Sequence, residues 1–526
     1  ANLVDASIDA LRLLQRVLAW APAVPITVVT QGASALGIAC ASEVDVTGAV
    51  VWGMTRSARS EADELCLRQV DLDVDAGAED LLAALAPLGE PEVLVRNGEL
   101  RTPRLERVDD NGDRRWAPDP DRAVLLTGGT GEIGRALAIH LIRFYGLRHL
   151  VMTSRRGEDA PGVADLRAEL HEAGAEEITI VACDVSQPEQ LDGLLTNATD
   201  RPWGAVLHLA GVLDDGMLSD QTPARLKTVL SAKVGAARLL VERAAGLDLS
   251  ALVLFSSAAG VLGSAGQSTY AAANHAMDAL AASARLAGLP VTSLAWGLWE
   301  PSGTGMTSRL SDTDRKRMRR KGIVGFSVRH GLELFDVSLR QGMPGLTPAR
   351  LDLAALEQQA ANGEPVPSIL RSLISPAALH DGHSPIATFR SLSDEVADLP
   401  EAEREDAVLK VVAIEIAAVA GLNDSSVIAP TQVLKGLGFD SLMAVELRRR
   451  LSTRSGVKLP ATLAFDYPTP RKIAGLVLKR LGFGVAKADV GPATTSVATG
   501  VESDVPMPPN NTDDLLSFLD SKLGEK

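Results

Sequence analysis

A tyrosine, a serine, an asparagine and a lysine are the residues of this chain whose types and spacing first suggest chemistry. Only three tyrosines occur in the 526 residues, Tyr145, Tyr270 and Tyr467, so a reaction that needs a phenol has three candidates. Tyr270 stands in Ser268-Thr-Tyr-Ala-Ala-Ala-Asn274, shortly after Ser257, which ends the apolar run ALVLFSS. Helical spacing puts Tyr270 and Asn274 on one face, and Ser257 falls at a strand end, where open α/β sheets bind ligands. A phenol ionises near pH 10 and needs a neighbouring cation to act as an acid or base near neutrality. Lys233, within the apolar stretch LSAKVGAARLL, is the best supplier. Alone it would read as a lysine snorkelling from a surface helix. Beside the other three it points to proton transfer at a substrate oxygen.

A second group could hold a dinucleotide. Gly129-Thr130-Gly131-Glu132-Ile133-Gly134 follows the run AVLLT (123–127), which ends in Thr127, and opens a predicted helix over 135–144. Such glycines permit a tight turn and a close backbone approach, and the helix N-terminus offers N–H groups to a pyrophosphate. An NAD site would place an acidic residue near the end of the next strand. This chain has Ser154-Arg155-Arg156 there. Guanidinium groups match a 2′-phosphate in charge and fork geometry, so NADPH is the expected cofactor. Asp184 and Val185, after a later strand, and Ala210, after another, are assigned to the same site.

The elements that must position these residues read as alternating strands and helices. From Arg122 to about Gln341 the apolar runs are AVLLT (123–127), HLVMTS (149–154), ITIVACD (178–184), AVLHLAG (205–211), ALVLFSS (251–257) and VTSLAWG (291–297). Helical patterns separate them, as in a doubly wound parallel sheet. An earlier stretch, ITVVTQGASALG (26–37), echoes AVLLTGGTGEIG (123–134), with Gln31 and Ser34 where the second copy has Gly128 and Gly131. The first copy reads as a half that has lost its cofactor; coincidence between two strand–turn–helix units is the alternative. The expected fold class is α/β, with two Rossmann-like subdomains, one degenerate and one binding NADPH, followed by a small all-α bundle. The expected divisions are 1–116 and 117–356 for the two halves, a linker at 357–400, the bundle at 401–482, a flexible linker at 483–512 and a short helix at 513–526.

Composition bounds the reading. Hydrophobic residues make up 46% and charged residues 23%, enough for each unit to bury a core. The net charge of −15 speaks against a nucleic-acid or anionic-membrane binder. Cys40, Cys66 and Cys183 are too few for a disulfide framework or a four-cysteine zinc site, so no metal is expected and a cytoplasmic location is. No run of about 18 apolar residues suggests a membrane span. The start at Ala1 suggests a piece of a longer polypeptide.

With these motifs in place, residues 1–350 resemble the ketoreductase domain of modular type I polyketide synthases, within the short-chain dehydrogenase superfamily. Ordinary members carry Tyr-x-x-x-Lys; here the last place is Asn274 and the lysine lies upstream, as in the polyketide ketoreductases. The resemblance implies that Tyr270 protonates the forming alkoxide, Ser257 hydrogen-bonds the carbonyl, Lys233 depresses the Tyr270 pKa, Asn274 supports the lysine and Asp184 faces the adenine. Leu213-Asp214-Asp215 matches the signature of B-type reductases. Leu262 stands where A-type enzymes usually have Trp, and Ala272 is not the Pro of the epimerising B-type subgroup. Together they imply a (3R)-hydroxyl without α-epimerisation.

Gly438-Phe-Asp-Ser441-Leu-Met opens a helix in the C-terminal unit, which ends with Phe465-Asp-Tyr-Pro-Thr-Pro before a last helix. The bland reading of Ser441 is an N-cap. The pattern resembles an acyl carrier protein, with Ser441 as the 4′-phosphopantetheine attachment site, and Arg448, Arg449 and Arg450 as a solvated face that helps docking. DDLLSFLDSKL (513–523) resembles a C-terminal docking helix, a frayed acidic tail being the other reading. The implied partners are upstream ketosynthase, acyltransferase and dehydratase domains, a downstream synthase subunit, a phosphopantetheinyl transferase and a second copy in a homodimer. An inert reductase scaffold with a working carrier, or a fatty acid synthase fragment, are the competing readings.

Overall fold

A run such as Ala123–Thr127, with every residue buried, forms only in a strand covered on both faces. The computed structural model describes residues 3–20, 25–38, 44–62, 66–86, 89–110, 116–300, 318–319, 322–362, 366–376, 392–420, 422, 425–460 and 462–483. Cys40 and the segments expected as a linker and a docking helix beyond Phe483 lie outside them.

Helix α1 (Leu3–Trp20) and strand β1 (Ile26–Gln31) begin the chain, followed by α2 (Val46–Glu61), β2 (Leu67–Leu72), α3 (Ala78–Leu85), β3 (Glu92–Arg96) and β4 (Glu99–Arg101). They build a four-stranded sheet of order β1-β2-β3-β4, parallel except for the β3–β4 hairpin.

The second sheet is built from β5 (Ala123–Thr127), β6 (His149–Ser154), β7 (Glu177–Ala182), β8 (Trp203–His208), β9 (Ala251–Ser257) and β10 (Val291–Trp296). Its order is β10-β9-β8-β5-β6-β7, with the two-residue strand Gly345–Leu346 beside β10, and all its pairs are parallel. The chain winds outward from β5 through β6 and β7, then returns to β8 on the other side of β5. That reversal opens a crevice at the carboxyl ends of β5 and β8, where such sheets bind ligands. Helices α4 (Glu132–Tyr145) and α5 (Val163–Ala173) cover one face. On the other lie α6 (Pro188–Asn197), α7 (Pro223–Leu230), α8 (Ala236–Ala244) and α10 (Ser268–Leu286), with the short α9 (Ala258–Leu262) following β9.

The two halves share a core. Leu11 and Leu14 of α1 and Ala49, Val50 and Met54 of α2 join Ala272, Ala273 and Ala276 of α10 in one buried cluster. Contact is tightest at Gly53, where an added Cβ would stand 2.6 Å from the Ala271 carbonyl oxygen and the Ala272 Cα.

The stretch expected as a linker is largely structured where it is described. Leu353–Ala361 is helical, and Leu356 and Leu370 are buried in a cluster that also holds Leu105 and Leu262. Leu392–Ala397 already belongs to the C-terminal bundle, whose further helices are Glu401–Ala420, Ser441–Ser455, Leu463–Asp466 and Pro470–Arg480. Val408, Val412, Ile416, Leu447, Leu463 and Ile473 form its centre, with Val396 of the first helix. The i, i+4, i+8 spacing of the first three explains why Glu401–Ala420 turns one stripe inward.

Candidate active site

The turn after β5 needs its glycines for space. Gly128 has φ of 69°, and a Cβ there would stand 2.9 Å from Ala210 beyond β8. A Cβ on Gly134 would stand 2.6 Å from the Gly129 carbonyl oxygen, so α4 can start against the turn only with glycine there. No side chain caps α4. Its first-turn N–H groups therefore face a cleft of about 1240 Å³ with the positive end of the helix dipole, a built site for an anion.

The degenerate copy solves the same problem internally. The Asp45 carboxylate accepts the N–H groups of Thr47 and Gly48 at 2.9 Å and so caps α2. The buried Asp71 accepts those of Ala33 at 2.8 Å and Ser34 at 3.1 Å, and is paired in turn with Arg96. Donors that a pyrophosphate could have used are satisfied by carboxylates of the protein.

The cleft runs along Gly128, Thr130, Gly131, Glu132, Ile133 and Gly134, then past Ser154 and Arg155 on one side and Asp184, Val185 and Ala210 on the other. Arg155 and Arg156 are exposed and line a recess with Thr130 and Ser154. This donor set, a glycine cradle with two free-standing guanidinium groups at the strand end, fits a dinucleotide with a 2′-phosphate. Thr127 and Gly129 lie beneath the cleft instead. Thr127 Oγ1 is buried, 2.7 Å from His208 Nδ1, and accepts the Ala210 N–H at 3.4 Å. Asp184 ties itself to Ser186, accepting its N–H at 3.0 Å and its hydroxyl at 2.7 Å.

Farther along the same cleft the four catalytic candidates converge. Ser257, at the end of β9, caps α9 by accepting the Ala259 N–H at 3.2 Å. Tyr270 lies in the first turn of α10, and both residues line the cleft. Lys233 is buried on a π-helical turn, Ser231–Gly235, inserted between α7 and α8. The widened turn is a common device at functional sites. Its ammonium donates to Asn274 Oδ1 at 3.0 Å and to the Phe255 carbonyl at 3.2 Å, and lies 5.3 Å from the centre of the Tyr270 ring. Asn274 Nδ2 donates back to the Tyr270 carbonyl at 2.8 Å.

Burial pushes the lysine down to about 8, with Asp278 pulling the other way. The Tyr270 hydroxyl moves up: desolvation raises it and hydrogen bonds to Ser257 and Asn274 only partly offset that. This reverses the expected depression. The ammonium lies over the ring face, and the cleft's own desolvation dominates.

Leu213, Asp215 and Leu262 line the cleft. Asp214 is instead clamped by Arg225 at 2.6 Å, and Gln267 donates to Asp215 at 3.0 Å. Ala272 is fully buried and faces Gly53 of α2, so it touches the helix support and not the cleft wall.

Four residues of the site lie outside the set expected from the sequence. Gly211 leaves room for the lysine, since a Cβ there would stand 2.9 Å from Lys233 Cε. Asp278, one further turn along α10 from Asn274, is half-buried and accepts the Ser293 hydroxyl at 2.6 Å; desolvation of its carboxyl pushes it up to about 6. The spacing of Tyr270, Asn274 and Asp278 along one face was the available signal. His208 is held neutral, near 3, by burial and by the Lys233 charge. Glu61, the last residue of α2, accepts the Leu218 N–H at 2.8 Å and the Gly266 N–H at 3.0 Å. It thereby fixes the loop after Leu213-Asp214-Asp215 against the loop before Tyr270.

In the bundle, Asp440 caps the helix Ser441–Ser455 by accepting the Met443 N–H at 2.7 Å, so capping does not account for the serine that follows. The arginine run is no solvated face. Arg448 is buried, Arg449 pairs with Glu446 at 3.1 Å and Arg450 with Glu415 at 2.6 Å. Among the described residues no helix is long and apolar enough to cross a membrane, and no group of acidic, histidine or cysteine side chains could hold a metal ion.

Three family models match the chain: a KR domain over residues 123–301, the Rossmann fold domain of the polyketide synthase extender module SpnB over 1–105, and a phosphopantetheine attachment site over 410–477. The spectinabilin polyketide synthase system protein NorA' of Streptomyces orinoci is 43% identical over 486 residues, 92% of this chain. The chain spans only 13% of that protein's length. The polyketide synthase GfsA of Streptomyces halstedii is 45% identical over 83% of this chain and 6% of its own length. Among solved structures, an A1-type ketoreductase is 34% identical with a TM-score of 0.61, covering 71% of this chain and 78% of that one. The ketoreductase from the first module of phoslactomycin biosynthesis in Streptomyces sp. HK803 is 30% identical with a TM-score of 0.62, over 70% and 85%.

Proposed function

The chain belongs to the ketoreductase–carrier family of polyketide synthases, and from that premise we propose that it reduces a β-ketoacyl thioester, held on its own phosphopantetheine arm at Ser441, to a (3R)-hydroxyacyl thioester. The observation that carries this reading is the convergence of Tyr270, Ser257 and the Asn274-bound Lys233 in the same cleft as an uncapped helix N-terminus.

NADPH, held by the Gly128–Gly134 turn with Arg155 and Arg156 at its 2′-phosphate, supplies the hydride when bound. The substrate carbonyl lies between the Ser257 and Tyr270 hydroxyls. Ser257 donates a hydrogen bond to the carbonyl oxygen, and Tyr270 delivers the proton as that oxygen gains charge. Lys233 favours the phenolate left behind, because a cation near an acid stabilises its ionised form. Its own lowered value, about 8, lets it exchange a proton near neutrality. Asn274 holds the ammonium in place.

Leu213-Asp214-Asp215, with Leu262 on the cleft wall, supports the (3R) outcome. This reading requires an upstream ketosynthase and acyltransferase to supply the β-ketoacyl chain and a phosphopantetheinyl transferase to modify Ser441; an upstream dehydratase, a downstream subunit and a second copy in a homodimer are compatible with it.

The test is NADPH oxidation by the phosphopantetheinylated protein with its carrier loaded with a β-ketoacyl group, with chiral chromatography of the released product. The expected result is stoichiometric oxidation giving the (3R) alcohol, and loss of both loading and product in Ser441→Ala. Loading without NADPH oxidation would favour the inert-scaffold reading. A (3S) product would refute the stereochemical part.

A further inference from the structure

Of the three consecutive arginines, Arg448 reaches the reductase. The residue is 3% exposed, and its Nη2 donates to the backbone carbonyl of Glu61 at 3.2 Å. Glu61 ends α2, where the last carbonyls lack intrahelical partners and carry the negative end of the helix dipole. A guanidinium is the side chain best suited to such an end.

Position 448 lies two helical turns beyond position 441 on the same face of Ser441–Ser455, about 10 Å along the axis. Asp440, at the start of that helix, lines the cleft that also holds Tyr270 and Ser257. One contact midway along the helix and one at its start thus bring the bundle against the cleft. The residue that receives Arg448 on its main chain is the one whose carboxylate ties together the two loops flanking Tyr270.

We propose that Arg448 docks the carrier on the reductase, with the C-terminal end of α2 in the degenerate half as its site. This rests on the reading of Ser441 as the attachment point. The half that lost its cofactor has, on this view, become the platform that presents the substrate. Its specificity lies in position more than in strength, because a tethered carrier already acts at high effective concentration.

The test compares Arg448→Ala, Arg448→Lys and Arg449→Ala in the full phosphopantetheinylated chain. One assay is single-turnover reduction of a β-ketoacyl group loaded on the arm, followed by intact-protein mass spectrometry. The other is steady-state reduction of the free β-ketoacyl N-acetylcysteamine thioester. Arg448→Ala should slow the tethered reaction roughly tenfold or more, as expected for losing a charged hydrogen bond at a buried contact. It should leave the free thioester unaffected. Arg448→Lys should recover part of the rate, and Arg449→Ala should match the wild type in both assays. Equal slowing on the free thioester would make Arg448 a structural residue and overturn the docking site, as would an unchanged tethered rate. A wild type that reduces the free thioester but never its own loaded chain overturns the carrier reading, and the docking site with it.

Discussion

Replacing Glu61 by Gln tests whether the carboxylate between the two active-site loops titrates in the fold. Burial raises it from an ordinary 4.5 to about 7, and the two backbone N–H groups it accepts only partly oppose that. A carboxyl whose folded value lies above its unfolded one favours the protonated fold. Its contribution to stability is full below pH 4.5 and is lost as pH rises through 7. At 1.36 kcal/mol per pKa unit, the wild type should lose about 2.5 kcal/mol between pH 5 and pH 8 from this group alone. Glutamine keeps one acceptor for the loops and cannot ionise, so it removes that slope. Other groups titrate too, Asp278 and Lys233 among them, but they do so in both proteins and cancel in the difference. Urea unfolding followed by tryptophan fluorescence at half-unit pH steps gives that difference directly. The gap between variant and wild type should shift by about 2.5 kcal/mol toward the variant from pH 5 to pH 8. Parallel curves would refute the assignment and leave Glu61 a carboxylate ionised in both states.

Three further perturbations address the cleft and its support. Tyr270→Phe should lower kcat by about 10²- to 10⁴-fold while fluorescence titration shows unchanged NADPH binding, as expected for removing a general acid; retained turnover would exclude the phenol. Arg155→Ala with Arg156→Ala should raise the KM for NADPH roughly tenfold and leave that for NADH unchanged, since only the 2′-phosphate distinguishes them. Gly53→Ala should destabilise the reductase by about 1–3 kcal/mol in urea unfolding, because its Cβ meets backbone on α10 and two helices must separate. A neutral result there would mean that the two halves slide past each other freely.

The catalytic sheet was legible because parallel strands buried on both faces read as unbroken apolar runs. AVLLT, HLVMTS and ALVLFSS coincide with β5, β6 and β9. The runs that overshot are instructive: Cys183-Asp184, Leu209–Gly211 and Gly297 follow β7, β8 and β10 and line the cleft. Residues there are apolar or small because a ligand crevice asks for the same surface as a strand. Lys233 was identified without its π-helical turn, which depends on what packs around it and not on the local sequence. Asp278 was missed although it continues the Tyr270–Asn274 face. Glu61 and Arg448 were beyond reach, because their partners lie 157 and 387 residues away along the chain. The arginine run shows the limit most clearly. Three adjacent identical residues take three different environments, and only tertiary structure tells them apart.

The persistence of a half without a cofactor follows from the faces of α10. Tyr270, Asn274 and Asp278 occupy the face toward the lysine and the sheet, so the opposite side needs cover. α2 supplies it: Gly53 admits the close approach at Ala271 and Ala272, and Trp52 stacks on His275 with ring centres 6.3 Å apart. Arg56 then reaches the Gly260 carbonyl at 2.8 Å and lies 3.2 Å from His275 Nδ1. Burial of Glu92 would by itself raise its carboxyl, yet Arg56 and Arg59 bring it down to about 2. Glu92 accepts Arg56 through two hydrogen bonds, at 2.9 and 2.7 Å, and so holds that arginine beneath α9 and α10. A nucleotide at the N-terminus of α2 would need the very N–H groups that Asp45 caps. The carboxylates of Asp45 and Asp71 satisfy such donors from within the first half, which lets it support the helix of Tyr270 with no ligand of its own.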